Sequence, residues 1–213
     1  MQILFAAITL SGVIHIWSDH NNRNIVSIIF KPLTMLLIIS ILFHTTISFE
    51  GYGLYILLGL VFSLLGDIML LKPWYKFELG LGAFLIGHIF YIIGFTSING
   101  FNDDILPLLP FVAFVIWLYR NIKPNLGRDK IPVIVYMLVI LVMVWQGTNV
   151  WVASLPQFGI YIALGSFIFC VSDSLLAYGR FKGAIKYGNT LVLSSYYIAQ
   201  TLIAYSAYLI IVN

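Results

Sequence analysis

The stretch FSLLGDIMLLKPWYKF, residues 62–77, decides the fold. An acid, Asp67, sits there inside a run apolar enough for hydrocarbon, and the run ends at Lys72 and Lys76. Charging a carboxylate at such a depth costs at least about 2.5 kcal/mol on insertion scales, so Asp67 needs a partner, a proton or a purpose.

Outward from this stretch the composition stays the same. Of 213 residues, 61% are hydrophobic and 9% charged, and mean hydropathy is +1.00. A domain of this size in water cannot hide so much apolar surface, which makes lipid the solvent. The single cysteine, Cys170, excludes a disulfide within the chain. A net charge of +3, scattered along the sequence, leaves no footprint for nucleic acid. The first 17 residues lack a basic start and a small-residue cleavage site, so they read as a span that stays.

A helix needs about 20 apolar residues to cross roughly 30 Å of hydrocarbon. With polar breaks taken as loops, eight spans are expected, at about 1–17, 25–43, 52–71, 78–98, 104–119, 131–146, 155–179 and 187–211. The loops are short, as in an antiparallel bundle. The expectation is an all-α, polytopic membrane helical bundle, a single eight-span domain over residues 1–213. Basic residues test the count independently. Arg23 follows span 1, and Lys72 and Lys76 follow span 3. Arg120, Lys123, Arg128 and Lys130 follow span 5, and Arg180, Lys182 and Lys186 follow span 7. Ten of the eleven basic side chains thus fall on one side, which the positive-inside rule assigns to the cytoplasm. Both termini are then expected on the non-cytoplasmic side, in a bacterial inner membrane.

A second stretch, IFCVSDSLLAYGRF (168–181), repeats the layout around Asp67, with a small residue before Asp173, leucines after it and then a basic loop. Asp67 lies five residues before Lys72, and Asp173 lies seven before Arg180. At 1.5 Å per residue, both acids sit roughly 8–10 Å below the basic ends of their helices. Other polar residues lean to the same half. Lys31 is early in span 2, His88 and Tyr91 share a face of span 4, and Tyr196, Tyr197 and Gln200 cluster in span 8. If these side chains converge, they make a polar pocket opening toward the inner leaflet.

Each has a plainer reading. The acids could merely pair with Lys31 or a hydroxyl to fix helix packing, though intramembrane acids are functional by default. Lys31 is within snorkelling reach of the interface. His88 could donate to a neighbouring carbonyl, and Tyr91, Tyr197 and Gln200 could be packing glue. His15 and His44 lie near span ends and His20 in a loop, where interfacial solvation explains them. Gly80, Gly82, Gly87 and Gly94 suit close helix contact better than a phosphate cradle.

Two carboxyls at one depth suit a narrow chemistry. Burial disfavours charge on a carboxyl, and two close acids resist ionising together, so one can hold a proton while the other is an anion. Such a pair serves hydrolysis through an oxocarbenium-like transition state. A lipid whose labile bond lies just below its head group would reach this depth, and a vinyl ether is one such bond. Zinc hydrolysis needs three clustered ligands, and only His88 is a deep histidine. No GxSxG or Walker sequence is present.

KPLTMLL (31–37), LLGDIMLL (64–71), GAFLIGHIFYIIGF (82–95), VSDSLLA (171–177) and YYIAQTLI (196–203) together resemble the lysoplasmalogenase (YhhN-like) family of membrane proteins. The resemblance runs from span 2 to span 8. It implies an eight-span enzyme that hydrolyses the alkenyl ether of lysoplasmalogens to a fatty aldehyde and glycerophosphoethanolamine or glycerophosphocholine. It implies Asp67 and Asp173 as the acid–base pair, with Lys31, His88, Tyr91, Tyr197 and Gln200 lining the substrate site and Lys31 near the lipid phosphate. Neither residues nor resemblance calls for a metal or another cofactor. The expected partners are a lysophospholipid substrate and the bilayer, and the sequence leaves a homodimer open. A reading from another class is a proton-coupled carrier of a small or lipidic solute, since buried Asp–His–Lys sets also build proton relays. Carriers commonly have inverted repeats and helices broken near the midplane, whereas the repeats here are parallel and the acids lie off the midplane.

Overall fold

A computed structural model describes residues 1–44, 50–72, 74–153 and 156–212. Eight α-helices and no strand occur among them: α1 (Gln2–His20), α2 (Asn24–Ile39), α3 (Gly51–Met69), α4 (Phe77–Asn99), α5 (Leu108–Ile122), α6 (Lys130–Val152), α7 (Pro156–Phe181) and α8 (Gly188–Val212). A 3-10 turn, Ser40–His44, extends α2. Among the described residues, six helices are long and apolar enough to cross a membrane: α1, α2 with its extension, α3, α4, α6 and α7. The other two are α5 and α8. α5 has 15 residues, about 22 Å at 1.5 Å per residue. α8 has ample length at 25 residues but carries serines, tyrosines and Gln200 along it.

The expected start of the fifth helix, residue 104, is corrected to Leu108. Local side-chain chemistry holds the preceding segment out of the helix. Asn102 Oδ1 accepts from the Asp104 amide, and Asp104 Oδ1 accepts from the Leu106 amide, two Asx turns in succession. From α6, Trp145 Nε1 donates to the Asp104 carbonyl and Gln146 Nε2 to the Asn102 carbonyl. α6 runs to Val152 instead of stopping at 146, and Asn149 in the added turns donates to the carbonyls of Asn102 and Asp104 at 3.3 Å.

The closest helix pairings are α3 with α4 and α7 with α8, the two pairs that begin with an acid-bearing helix. α8 also packs against α1, α2 and α3, which draws its polar face inward, while α5 packs against α6 and α7. Aliphatic side chains such as Ile3, Leu10, Ile25, Leu109 and Leu138 point outward, as lipid contact requires. At the end bearing the basic loops, Arg128 pairs with Glu78 at 3.2 Å, and the Arg180 guanidinium lies 3.5 Å above the Phe77 ring.

Small residues set the α3–α4 spacing. A Cβ on Gly59 would collide with the Tyr91 ring, and one on Gly87 would lie 3.0 Å from the Gly59 carbonyl oxygen. Gly82 departs from the expected pattern, because a Cβ there meets nothing within 4 Å. Gly59→Ala should therefore destabilise the protein by about 1–3 kcal/mol through overpacking. Gly82→Ala should be neutral or stabilising, by at most about 1 kcal/mol from helix propensity. Thermal unfolding of the two variants in detergent checks this, and equal midpoints would refute the packing argument.

Candidate active site

α2, α3 and α8 each bring one polar side chain to a common point. Lys31 Nζ lies 3.2 Å from Asp67 Oδ1, and the Tyr196 hydroxyl donates to Asp67 Oδ2 at 2.6 Å. Both carboxyl oxygens are thus occupied by donors, a set that an ionised carboxylate satisfies fully. Asp67 is 3% exposed and Lys31 8%, so the pair is shut away from bulk solvent.

α4, α6 and α7 form a second node. The Tyr136 hydroxyl donates to Asp173 Oδ2 at 2.7 Å, and His88 Nε2 lies 3.8 Å from the same oxygen. Both contacts fall on Oδ2, which leaves Oδ1 for a proton or a ligand. His88 is fully buried, and neither ring nitrogen has a hydrogen-bond partner. Its ring is held edge-on by Phe169 at 4.6 Å and Tyr136 at 5.3 Å.

The two nodes share a cavity of about 240 Å³. Asp67, Asp173, Lys31, Ser172 and Tyr196 line it, along with His15 and Ser27 from the α1–α2 side. Asp19, Lys72 and Asn189 also line it, at the end of the bundle bearing the basic loops, where Lys72 pairs with Asp19 at 3.0 Å and Asn189 donates to Asp19 at 3.1 Å. A second, apolar space of about 50 Å³ lies on the other side of Asp173, between α4, α5, α6 and α7. Leu70, Phe84, Asp173 and Leu176 border both spaces, so this acid stands in the partition between a polar chamber and an apolar one.

Of the residues expected to line the site, only Lys31 borders the polar cavity; His88, Tyr91, Tyr197 and Gln200 lie off its wall. The Tyr91 hydroxyl donates to Gln200 Oε1 at 2.5 Å, both residues are fully buried, and neither borders the cavity. Tyr197 is likewise off the wall, with its hydroxyl 2.7 Å from His15 Nδ1. His15 corrects the interfacial reading of that residue: it is 2% exposed, and its Nε2 lies 3.0 Å from Ser27 Oγ. A signal was available. Ser11, His15 and Ser18 recur at helical spacing on one face of α1, and all three are buried. His20 and His44 are exposed.

The sequence does not single out Tyr136, and it marks Ser172 only as the small residue beside Asp173. Tyr136 is one aromatic among many in an apolar span, and only the approach of α6 to α7 gives its hydroxyl a carboxylate. Tyr196 was grouped with Tyr197 and Gln200, but helix phase turns it toward Asp67 while its neighbour faces α1. Among the described residues, no three His, Cys, Asp or Glu side chains gather closely enough to hold a metal ion.

The Lys31–Asp67 pair invites a double-mutant cycle. Lys31→Met leaves a carboxyl buried without its cation and should cost about 3–5 kcal/mol. Lys31→Met combined with Asp67→Asn should recover at least half of that loss in unfolding experiments. A single variant as stable as the wild type would mean that the pair contributes little.

Comparison with known proteins adds a family. The model of the YhhN family matches residues 26–207. Membrane protein YhhN of Escherichia coli is 26% identical over 96% of this chain and 98% of its own length. Human lysoplasmalogenase TMEM86B is 28% identical over 74% of this chain and 65% of its own. Bovine lysoplasmalogenase TMEM86A is 31% identical over 71% and 64% respectively. No solved structure matches the chain.

Proposed function

The chain belongs to the YhhN family, and from that premise we propose that it is a membrane-embedded hydrolase of lysoplasmalogens, with Asp67 and Asp173 as its acid–base pair. The observation that carries the reading is the position of Asp173 in the wall between a polar and an apolar space, with Asp67 across the polar one. The labile bond of a vinyl-ether lysolipid lies where a polar head meets a hydrocarbon chain, so a lipid occupying both spaces presents that bond to Asp173. The names of the human and bovine relatives support the same substrate class.

The division of labour follows from the hydrogen bonds. Asp173, with Oδ1 free of partners, holds the proton and delivers it to the alkenyl carbon one removed from the ether oxygen. The oxygen lone pair closes onto the adjacent carbon, giving an oxocarbenium ion. Asp67, already an anion beside Lys31, stabilises that cation and takes a proton from water as the water oxygen bonds to it. The hemiacetal then collapses. Asp173 removes the hydroxyl proton, Asp67 returns its own to the departing glycerol oxygen, and an aldehyde and a glycerophospho-alcohol leave with both acids reset. Tyr136 and Tyr196 hold the carboxyls in place, with His88 close to Asp173. Lys31 and Ser27 provide donors for the head group on the polar side, His15 is held between Tyr197 and Ser27, and Tyr91, Tyr197 and Gln200 support the wall from behind.

The chain is proposed to cross a bacterial inner membrane eight times, with the basic loops in the cytoplasm and both termini outside. α5 and α8 then count as spans, the first short and the second lined by site residues. A fluorescent protein that matures only in the cytoplasm should stay dark when fused after Asn213 and glow when fused into the 182–187 loop. The reverse pattern would invert the topology.

The activity test follows aldehyde release by the purified protein in detergent from an alkenyl-ether lysophospholipid. Asp67→Asn and Asp173→Asn should each lower turnover by about 10³-fold or more while leaving the protein folded. In D₂O the released aldehyde should carry one deuterium on the carbon next to the carbonyl. Turnover at the wild-type rate by either variant, or an aldehyde without that deuterium, would refute the mechanism. A carrier would instead move solute with protons across liposomes and release no aldehyde.

A further inference from the structure

The apolar space beyond Asp173 holds part of the lipid in the reading above but supplies no reacting group. Val115 and Leu118 of α5, Met137 of α6 and Cys170, Ala177 and Phe181 of α7 form much of its wall. Apart from the open Oδ1 of Asp173, the polar groups on that wall are already engaged: Tyr136 donates to Asp173, and Ser174 Oγ donates to the Cys170 carbonyl at 2.6 Å. A water there would find few partners, and a cavity of that character favours hydrocarbon. Its volume is about 50 Å³. One water needs about 10–15 Å³ of such space, so the slot takes roughly four groups of methylene size.

We propose that this slot receives the first few carbons of the substrate's hydrocarbon chain, those next to the ether bond, while the rest of the chain lies in the bilayer. The inference rests on the reading of the site as an ether-lipid hydrolase and adds a selectivity to it. The protein reads the width of the chain beside the reacting bond and is indifferent to its total length. The two spaces have Asp173, Leu70, Phe84 and Leu176 in common on their walls, so they are neighbours, and a single ligand reaching into both would bend around Asp173. Met137 of α6 and Ala177 of α7 both belong to that wall, so a change of size at either alters the space.

The probes are saturated alkyl-ether lysophosphocholines, which lack the double bond and stay intact. Their binding to the whole detergent-solubilised protein is read as mole fraction in the micelle. Dodecyl and octadecyl chains should bind within about threefold of each other, and a chain methylated at its third carbon at least about tenfold more weakly. Met137→Ala, which widens the slot, should shrink the branched-to-straight difference. Ala177→Phe, which fills it, should weaken straight chains about tenfold, with helical content by circular dichroism checking that it folds. A branched chain bound as well as a straight one, or a difference unmoved by Met137→Ala, would overturn the slot and leave the hydrolase reading intact. Failure of the wild type to bind any straight-chain ether would instead overturn the hydrolase reading, and the slot with it.

Discussion

Two carboxyl groups buried in a bundle solvated by lipid must each find donors within the protein, because hydrocarbon offers none. Asp67 finds Lys31 on α2 and Tyr196 on α8. Asp173 finds Tyr136 on α6 and has His88 of α4 close by. Each acid therefore ties together helices distant in sequence, α2, α3 and α8 in one node and α4, α6 and α7 in the other. Apolar side chains alone would not choose these neighbours, since lipid tails are as apolar as leucine. The close approach of α3 to α4, permitted at Gly59 and Gly87, holds the two nodes side by side.

That juxtaposition gives the site its asymmetry. One side is wet in character, with histidine, serine and lysine on its wall and an Asp19–Lys72 pair along its edge. The other is oily and narrow. A lipid is itself divided in this way, and the two acids also differ. Asp67 is fully engaged by a cation and a hydroxyl, whereas Asp173 keeps an oxygen open at the boundary. Two carboxyls of equal surroundings would compete for one role, and different partners let them take complementary ones.

Much of this was legible in the chain. Hydropathy and loop charge gave eight helices, because lipid forces each crossing to be a continuous apolar run. Asp67, Asp173 and Lys31 stood out because any ionisable group in such a run is costly. The start of α5 was misjudged, since Asx turns and donors from α6 hold residues 102–107 outside the helix. His15 was assigned to the interface because distance along the chain was taken for depth, when α1 packs its serine face against α2 and α8. Tyr136 could not be found at all, for a hydroxyl among aromatic residues acquires meaning only from the carboxylate it meets.

By itself the sequence determined that this protein lives in lipid, how its helices alternate with basic loops, and how many residues separate its acids from those loops. Those features are set by transfer free energy and helical rise, which depend on local composition. Only the tertiary structure decided which hydroxyl serves which acid, that Tyr196 and not Tyr197 faces the cavity, and that Asp173 divides a polar space from an apolar one. Such choices depend on the rotation of each helix about its axis and on its neighbours. A shift of one residue turns a side chain by about 100°, and only packing against other helices fixes that angle.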